Sequence, residues 1–455
     1  MAHFRFNLHH REEHVTLGNI EASRLKVGKL LIFACFFMYM MSMAVKGIFA
    51  AEVAYIQKLW SIGYAKTSMA NTFYFVTYGL VQVFMFIFMS KINIRKYLAF
   101  TVPFSAICAV LMGTSTDIVQ MWVYFGLTGA LQAGIFCGCN AVLTKNLPTC
   151  QLSVANRFMN LGYASGTVLA YGLCGLCISY DLWRVPYFVF GSIFFVSVIF
   201  FLIVVKYASR YGHINEMLDG HNLTVKTSKV ADDENDPIFT LETRKKRIIF
   251  YTVDLTLTFI ITALYYCIMN NVTPLLANEH GLGQNVAIYV SILAPIAISL
   301  GPMILISACN KDRDFIRHGI KYMFIVLPIP LLLAFFYKVH VILALVLTII
   351  FVVLTNGVKS IALSVITFKM RKHINSGAYS AISNAIASIA AGVTPTMIGS
   401  VIDNSGWKTA YFVTFAVALT LTLSLIVIDV IVRKADKARR QKNIEGLTAE
   451  QAENK

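Results

Sequence analysis

The sequence is poor in charged residues, since Asp, Glu, Lys and Arg together make up 14% of its 455 residues. A typical soluble domain carries about 25%. Hydrophobic residues make up 57%, so the chain does not have enough charge to cover an ordinary water-facing surface. The composition also excludes a disordered chain, which would be poor in apolar residues, and a collagen-like chain, which would need glycine at every third position.

Several motifs that carry chemistry are also missing. The sequence has no Gly-x-x-x-x-Gly-Lys-Ser/Thr phosphate loop, so we expect no ATP-driven step within the chain. No zinc motif or nucleophile–base set stands out. The pairs Cys137-x-Cys139 and Cys174-x-x-Cys177 lie in apolar segments without an accompanying histidine or acid, where cysteines act as small packing residues. We therefore predict no enzyme activity, no metal site, no cofactor and no nucleic-acid partner.

Long apolar runs are present along the whole chain. A bilayer span needs about 20 mostly apolar residues, and twelve segments qualify. They are 29–56, 66–90, 96–113, 118–143, 154–178, 185–206, 248–275, 285–309, 319–337, 340–366, 376–402 and 407–432. Backbone groups must be satisfied internally in lipid, and continuous runs do not fit alternating barrel strands, so each segment is predicted to be a helix. We expect no cleaved signal before the first run.

Lysine and arginine are unevenly distributed between the loops. Of the 39 basic residues, 32 fall in the two tails and the loops after every second span or at the span ends next to them, and only five fall in or next to the other loops. Because basic residues concentrate on the cytoplasmic side, we predict that both termini are cytoplasmic. The basic clusters are then topology signals that contact lipid headgroups. Two lysines, Lys46 and Lys359, lie inside predicted spans and away from the span ends.

The two halves of the chain resemble each other at an offset of 224 residues. Asn160 pairs with Asn384, and Gly175 with Gly399. The same offset relates Trp183-Arg184 to Trp407-Lys408 and Tyr187-Phe188 to Tyr411-Phe412. We therefore predict an all-α membrane protein with twelve transmembrane helices in two six-helix repeats (6+6). Its parts are a cytoplasmic N-terminal tail (1–28), a first half (29–206), a cytoplasmic linker (207–247), a second half (248–432) and a cytoplasmic C-terminal tail (433–455).

This organisation resembles the major facilitator superfamily over nearly the whole chain. The family's loop after span 2, Gly-x-x-x-Asp-Arg-x-Gly-Arg-Arg, corresponds to residues 88–96, which keep basic residues but not the Asp, while Asp312-Arg313 stands in the second-half copy. The resemblance implies a secondary transporter that works by alternating access. We expect a monomeric, multi-pass protein of the plasma (inner) membrane whose partners are lipid, a small-molecule substrate and a coupling proton or counter-anion.

A finer resemblance is to the organophosphate:phosphate antiporters and related organic-anion carriers. It rests on four stretches: Ala44–Ala50 with Tyr55-Ile56, Tyr78–Gln82, Asn160–Gly166, and Asp403-x-x-Gly406-Trp407. Those antiporters bind phosphate with one Arg in span 1 and one in span 7. Lys46 stands at the first position, whereas the second falls near the uncharged Tyr265-Tyr266. The family's span-5 His and span-2 Lys appear as Tyr163 and Gln82, so the phosphate clamp is not intact.

Lys46 is the leading candidate for binding an anionic solute. It lies roughly 17 residues, or about 25 Å, into span 1, where a charge costs on the order of 3 kcal/mol. A lysine ammonium has three donors and suits a carboxylate or a phosphate oxygen. The alternatives are that Lys46 extends to the outer interface or forms a structural pair with Glu52.

Further polar residues in the spans predict a polar cavity. The candidate substrate-binding residues are Lys46, Tyr78, Gln82, Asn160, Tyr163, Tyr265, Tyr266, Asn270, Lys359 and Asn384. Two interpretations of Lys359 remain open, because it can line the cavity or extend toward the cytoplasmic basic cluster. Glu52 and Asp254 are candidates for coupling, although an acid at Asp254 also complements the start of span 7. Amides and hydroxyls in spans equally serve interhelical packing.

These observations favour a secondary active transporter for a small polar organic solute, most consistent with an organic anion such as a carboxylate, sugar acid or sugar phosphate. Within transport, the alternative is a proton-coupled carrier or efflux pump for neutral or amphipathic compounds. Outside transport, the alternative is a sensor that binds a solute without moving it. The direction of transport and the coupling ion are not defined by the sequence.

Overall fold

The computed structural model describes residues 2–88, 93–147, 149–211, 244–302, 304–305, 315–360 and 376–453, and within these residues every regular element is helical. The helices of the first half are α1 (Ala2–Trp60), α2 (Tyr64–Phe88), α3 (Ile94–Thr114), α4 (Ile118–Gln132), α5 (Ile135–Asn146), α6 (Thr149–Ile178) and α7 (Val185–Tyr211). Those of the second half are α8 (Arg244–Met269), α9 (Val272–Pro274), a π-helical turn (Leu275–Glu279), α10 (Gln284–Ser291), α11 (Leu293–Ile298), α12 (Phe315–Val326), α13 (Pro328–Phe336), α14 (Val341–Ser360) and α15 (Ser376–Glu453).

The predicted all-helical membrane architecture is confirmed. Ten stretches within the described residues are long and apolar enough to cross a bilayer. One of them, Ile382–Val430, holds two predicted spans, and the 25-residue helix α2 covers most of predicted span 2. The boundary inside Ile382–Val430 lies at Gly406, which has φ of +78°. Glycine adopts this conformation without the steric cost that a Cβ atom would bring, so the chain can turn here between spans 11 and 12.

Spans 4, 8 and 9 each consist of two helical segments joined at positions that hydropathy does not reveal, and the joining residues keep helical backbone dihedrals. Span 4 breaks between α4 and α5, at Ala133 and Gly134, and span 8 breaks at Ile292. Span 9 breaks at Leu327, next to Pro328, which starts α13. Proline favours the first turn of a helix and cannot donate a backbone hydrogen bond, so it ends α12 and begins α13.

The helices expose large apolar side chains of the kind that a bilayer accommodates. Phe84 on α2, Val196 on α7 and Met397 on α15 are each more than half exposed. Many others on the same helices are exposed as well. A soluble monomer rarely shows apolar patches of this extent, so these faces are the lipid-contacting surfaces of the spans.

The chain forms two compact units. Unit 1 comprises Met1–Ile62, Ala70–Leu223 and Leu282–Pro295, and unit 2 comprises Gly63–Met69, Thr224–Gly281 and Ile296–Lys455. In unit 1, α1 packs against α6 and α7, and α3 packs against α4 and α7. In unit 2, α15 packs against α8 and α13, and α14 packs against α8 and α12. Each unit therefore has its own core, within which the predicted polar residues are placed.

Helices α1 and α6 approach each other closely in unit 1. A Cβ atom added at Gly47 would lie 3.0 Å from the Cβ of Ala170, and one added at Gly166 would overlap the carbonyl oxygen of Met40. Small residues are what allow two transmembrane helices to pack backbone to backbone. This packing fixes α1, and with it the polar residues that α1 carries, against α6.

Candidate functional site

The lysine predicted to lie deep in span 1 is surrounded by aromatic rings in unit 1. Lys46 is half-buried on α1. Its Nζ atom lies 4.5 Å from the ring centroid of Phe75, 5.6 Å from that of Tyr74 and 5.8 Å from that of Tyr163. Phe75 and Tyr74 belong to α2, and Tyr163 belongs to α6. Three spans thus converge on one ammonium group, whose charge is stabilised by the electron-rich ring faces.

Gln132 holds one of these rings in place. The Tyr74 hydroxyl donates a hydrogen bond of 2.8 Å to the Oε1 atom of Gln132, and both side chains are buried. Gln132 is the last residue of α4, immediately before the break in span 4. Its Nε2 atom is buried without a hydrogen-bond partner among the described residues. An unsatisfied buried donor is costly, so this amide is suited to meet a further acceptor.

The other predicted residues of span 2, Tyr78 and Gln82, follow the same face of α2 as Tyr74. The Tyr78 ring stacks on that of Tyr74, with centroids 5.9 Å apart. Gln82 lies one turn further along α2, is buried, and has no partner for its Oε1 atom in the described part of the chain. The side chain of Asn160 lies outside what the structure describes. The structure therefore brings Lys46, Tyr78 and Tyr163 into one cluster.

The acidic residue of span 1 faces other helices. Glu52 has no exposed surface. Its polar neighbours are the Cys174 thiol on α6 and the Tyr187 hydroxyl on α7. Neither carboxyl oxygen of Glu52, nor the Tyr187 hydroxyl, reaches hydrogen-bonding geometry with any described residue. The structural pair of Lys46 with Glu52, considered as an alternative from the sequence, is therefore absent from the described structure.

Unit 2 contains a second lysine against aromatic rings. Lys359 is in the last turn of α14, and its Nζ atom lies 4.3 Å from the ring centroid of Tyr265 and 5.8 Å from that of Tyr266. These two rings of α8 meet edge to face with centroids 4.9 Å apart. Tyr265 is fully buried, so the Lys359 side chain folds against α8 within the span. The predicted residues Lys359, Tyr265 and Tyr266 thus form one contact cluster.

The other predicted residues of unit 2 are not part of this cluster. Asp254 accepts a hydrogen bond from the Tyr379 hydroxyl, which joins α8 to α15, and both side chains are buried. Asn270 follows the end of α8, and its Nδ2 atom has no partner among the residues that the structure describes. Asn384 is half-buried on α15, where its backbone carbonyl accepts from the Ser388 hydroxyl at 2.8 Å.

A small cavity in unit 2 lies between α8, α14 and α15. Its volume is about 10 Å³, which is room for about one water molecule. Its lining is mostly apolar and includes the polar residues Asn271, Thr348 and Thr414. None of the predicted substrate-binding residues lines it. The cavity is therefore a packing feature of unit 2 and is too small to hold an organic solute.

Sequence reasoning missed Tyr74, Phe75, Gln132 and Tyr379. Tyr74 precedes Tyr78 by one helical turn, so the spacing that links Tyr78 to Gln82 also places Tyr74 on the same face. Gln132 is an amide within an apolar span and stands two residues before Gly134, which is a detectable signal. Phe75 is one of 33 phenylalanines, and Tyr379 is far in sequence from Asp254, so neither could be distinguished from the sequence.

Comparison with known proteins identifies the class to which this fold belongs. The sequence profile of the Major Facilitator Superfamily matches residues 32–395. The chain therefore belongs to the major facilitator superfamily, whose members are secondary transporters of small solutes. It is an integral, multi-pass membrane protein and a transporter rather than an enzyme, as predicted. No curated protein sequence matches the chain.

Solved structures with a similar fold include other transporters. A bacterial homolog of the human lysosomal transporter Spinster, inward-facing and unoccupied, has a TM-score of 0.64 at 12% identity, covering 90% of this chain and 97% of that one. The nucleoside transporter NupG has a TM-score of 0.61 at 13% identity, covering 87% and 98%. At these identities the likeness shows the fold alone. The finer resemblance to organophosphate:phosphate antiporters is not tested by these comparisons and stays a prediction.

Proposed function

We propose that this transporter moves a small organic anion and that Lys46 binds the anionic group. The proposal is carried by the placement of Lys46, which lies deep in span 1 among rings from α2 and α6. A charge at this depth costs on the order of 3 kcal/mol. Aromatic ring faces stabilise an ammonium group and leave its charge unchanged, and a positive charge attracts an anion.

The chemistry of the cluster favours carboxylates and phosphate monoesters. A lysine ammonium is a compact point charge with three rotatable donors, which suits one carboxylate or one phosphate oxygen. The hydroxyls of Tyr78 and Tyr163 and the amide of Gln132 are neutral donors of residues in the same contact cluster as Lys46. Neutral donors of this kind select polar groups on the rest of the solute. Sugar acids and sugar phosphates carry both an anionic group and several hydroxyls.

Lys359 supplies a second cationic position in unit 2. Its contact with Tyr265 and Tyr266 supports the cavity-lining interpretation, because the side chain lies against α8. Asp254 supports the structural interpretation, since its carboxyl accepts from Tyr379. We propose Lys359 as a cationic position of unit 2 and leave Asp254 to hold α8 against α15.

A two-stage experiment tests the proposal. First, the purified protein is screened by thermal shift against a panel of monocarboxylates, sugar acids and sugar phosphates, since a ligand that binds only the folded state raises its melting temperature. Second, uptake of radiolabelled forms of the compounds that shift it is measured in proteoliposomes. We expect at least one anion to stabilise the protein and to be taken up.

Variants of Lys46 make this experiment specific. Lys46→Met removes the charge and keeps the length of the side chain, whereas Lys46→Arg keeps the charge. Lys58→Met removes an exposed lysine from the same helix and is the matched control. We expect uptake to be lost in Lys46→Met and retained in the control. Full uptake of every anion by Lys46→Met would contradict the proposal, and binding without uptake by the wild type would identify a sensor.

A second candidate function is a proton-coupled carrier, which the burial of Glu52 favours. Its carboxyl group is fully buried without a described hydrogen-bond partner, and an unpaired carboxylate is costly in such a place. The titratable groups around it are Tyr55, Cys174, Cys177 and Tyr187, none of which carries a positive charge. A neutral, proton-bearing carboxyl group fits this surrounding.

The two candidate functions differ in what drives uptake. A carrier coupled at Glu52 accumulates its solute when the external pH is lowered, and Glu52→Gln then abolishes this accumulation while solute exchange continues. Uptake that responds to an internal counter-anion and ignores the pH gradient favours the antiporter. Export of neutral or amphipathic compounds against their concentration gradient would instead indicate an efflux pump.

A further inference from the structure

The buried aspartate of α8 has one carboxyl oxygen that the contacts of unit 2 leave unsatisfied. The Oδ2 atom of Asp254 accepts from the Tyr379 hydroxyl, whereas the Oδ1 atom is buried without a hydrogen-bond partner among the described residues. The side chain packed against this pair is that of Tyr251, whose ring contacts the Tyr379 ring. Neither tyrosine supplies a positive charge. A buried carboxyl group in such surroundings either carries a proton or meets a cation.

The hydroxyl groups one helical turn beyond this hydrogen bond are also buried and unsatisfied. Thr258 follows Asp254 by four residues on α8, and Ser383 follows Tyr379 by four residues on α15. Neither Thr258 nor Ser383 has exposed surface, and neither hydroxyl oxygen has a partner in the part of the chain that the structure describes. Thr262, one turn further along α8, is buried and unsatisfied in the same way. Buried polar atoms without partners are uncommon in proteins.

These hydroxyls differ from their neighbours on the same helices. Serine and threonine in a helix often donate to the backbone carbonyl four residues earlier. Thr256 on α8 makes this bond at 2.7 Å, and Ser388 on α15 makes it at 2.8 Å. Thr258 and Ser383 do not make it within the described structure. Their hydroxyl oxygens are therefore available to a ligand.

The packing of α8 against α15 places the two hydroxyls at one level of unit 2. The hydrogen bond to Tyr379 joins the helices near the start of α15. Near the end of α8, Ile268 lines the same cavity as Ile398 of α15. The two helices therefore run in the same direction where they pack. Thr258 and Ser383, each one turn past the hydrogen bond, lie at the same height.

We propose that Asp254, Thr258 and Ser383 form a binding site for a sodium ion between α8 and α15. Hard cations prefer oxygen ligands, and this set supplies a carboxylate and two hydroxyls. One carboxylate balances one positive charge, so a divalent ion would leave a buried charge uncompensated. The Tyr379 hydrogen bond holds the carboxyl group, as partners of ligating residues do in metal sites, and leaves its Oδ1 atom to bind the ion.

The sodium site is separate from the proposed anion-binding lysine of unit 2. Lys359 contacts Tyr265, which stands 11 residues after Asp254 on α8, or about 16 Å along the helix. The sodium site goes beyond the proposed function and does not depend on which solute is carried. Binding of the ion would join α8 to α15 within unit 2.

Sodium-dependent melting of the full-length protein in nanodiscs, without any solute, tests the site. NaCl is titrated against choline chloride at constant ionic strength and pH. A cation that binds only the folded state raises the melting temperature with its concentration, and we expect this rise with Na⁺ and a smaller one with K⁺. Equal melting temperatures in Na⁺ and choline would overturn the proposal, and so would an equal rise with K⁺. Since no solute is used, failure here is distinguishable from failure of anion transport.

Variants assign the sodium effect to these residues. Ser383→Ala and Thr258→Val each remove one oxygen that bonds to no described residue, so both should fold and should melt in choline as the wild type does. Radiolabelled Na⁺ should bind each of them about tenfold more weakly or worse, and Asp254→Asn should not bind it. Sodium affinity equal to that of the wild type in both hydroxyl variants would overturn the site, even if Asp254→Asn does not fold.

Thr256→Val is the matched control. Thr256 lies on the same helix, is exposed, and bonds to the backbone of α8. We expect this variant to bind Na⁺ with the affinity of the wild type. A loss of sodium binding in Thr256→Val as large as that in Thr258→Val would contradict the site, because it would show a general effect of removing hydroxyls from α8.

Discussion

Replacing Lys46 by methionine separates a binding role from a structural one. The substitution removes three cation–π contacts, at 4.5, 5.6 and 5.8 Å, which together are worth about 1–2 kcal/mol. It also removes a charge whose insertion into a span costs about 2.5–3.5 kcal/mol. The balance favours methionine by roughly 1 kcal/mol. We therefore expect the protein without solute to melt at the same temperature as the wild type or slightly higher.

Lys46→Met should bind the anion more weakly than the wild type, although it is expected to be equally or more stable without solute. A hydrogen bond between a charged donor and an anion contributes about 1.5–3 kcal/mol, so its loss weakens the affinity about 10-fold to 150-fold. The assay is a thermal-shift titration of wild type, Lys46→Met and Lys46→Arg with the anion that stabilises the wild type most in the panel. We expect Lys46→Arg to retain most of the affinity, because it retains the charge.

Two results would refute this reasoning. If Lys46→Met bound the anion with a Kd within about twofold of the wild type, Lys46 would not contact the solute. If the variant melted several degrees lower in the absence of solute, the cation–π contacts would be structural and the insertion cost would have been overestimated. Lys58→Met, from the exposed end of α1, should change neither quantity.

Three further predictions follow from the described contacts. Lys359→Met should weaken binding of a sugar phosphate in the same titration, and an unchanged Kd would exclude a role of Lys359 in binding the anion. Glu52→Gln should leave the melting temperature unchanged within about 2 °C, because it replaces a buried carboxyl by a neutral group of equal size. A much lower melting temperature would show that a charged Glu52 carboxylate stabilises the fold. Gly301→Ala should lower the melting temperature, since its Cβ would overlap the Val353 carbonyl at about 1–3 kcal/mol, whereas Gly319→Ala, with open space around it, should be neutral or stabilising.

The spans could be predicted because each depends on a local property. Twenty apolar residues must form a helix in lipid wherever they occur, so the twelve ranges followed from composition alone. The interruptions at Gly134 and Ile292 could not be predicted, because a break inside a span depends on the helices packed around it. Pro328 is the exception, since its missing amide marks the break between α12 and α13 directly.

The candidate site was only partly predictable, for a related reason. Lys46 and Lys359 stood out because a charge within a span is rare and costly. Phe75 and Tyr74 did not stand out, since an aromatic residue in a span is equally at home facing lipid, a neighbouring helix or a lysine. Which of these it faces depends on how α1, α2 and α6 pack. The sequence therefore identified the charged groups but not the rings that hold them.

The repeat was visible in the sequence, but the contacts that its paired glycines make were not. The offset of 224 residues relates Gly175 to Gly399, and sequence alone allows these glycines to serve packing or bending. Only the contacts show that each glycine lies against a helix start, with Ser179 or Asp403 one turn further on. Equivalent positions with different side chains could not be recognised as making similar contacts without the structure.

Selectivity between an anion and its neutral analogue tests the central claim most directly. Proteoliposomes containing the wild-type protein are supplied with a radiolabelled sugar acid or sugar phosphate that the thermal-shift screen identifies, and in parallel with the uncharged parent sugar. We predict that the anion is taken up, that the parent sugar is not, and that Lys46→Met abolishes the difference. Uptake of the parent sugar at the same rate as the anion would contradict an anion transporter with Lys46 at its binding site.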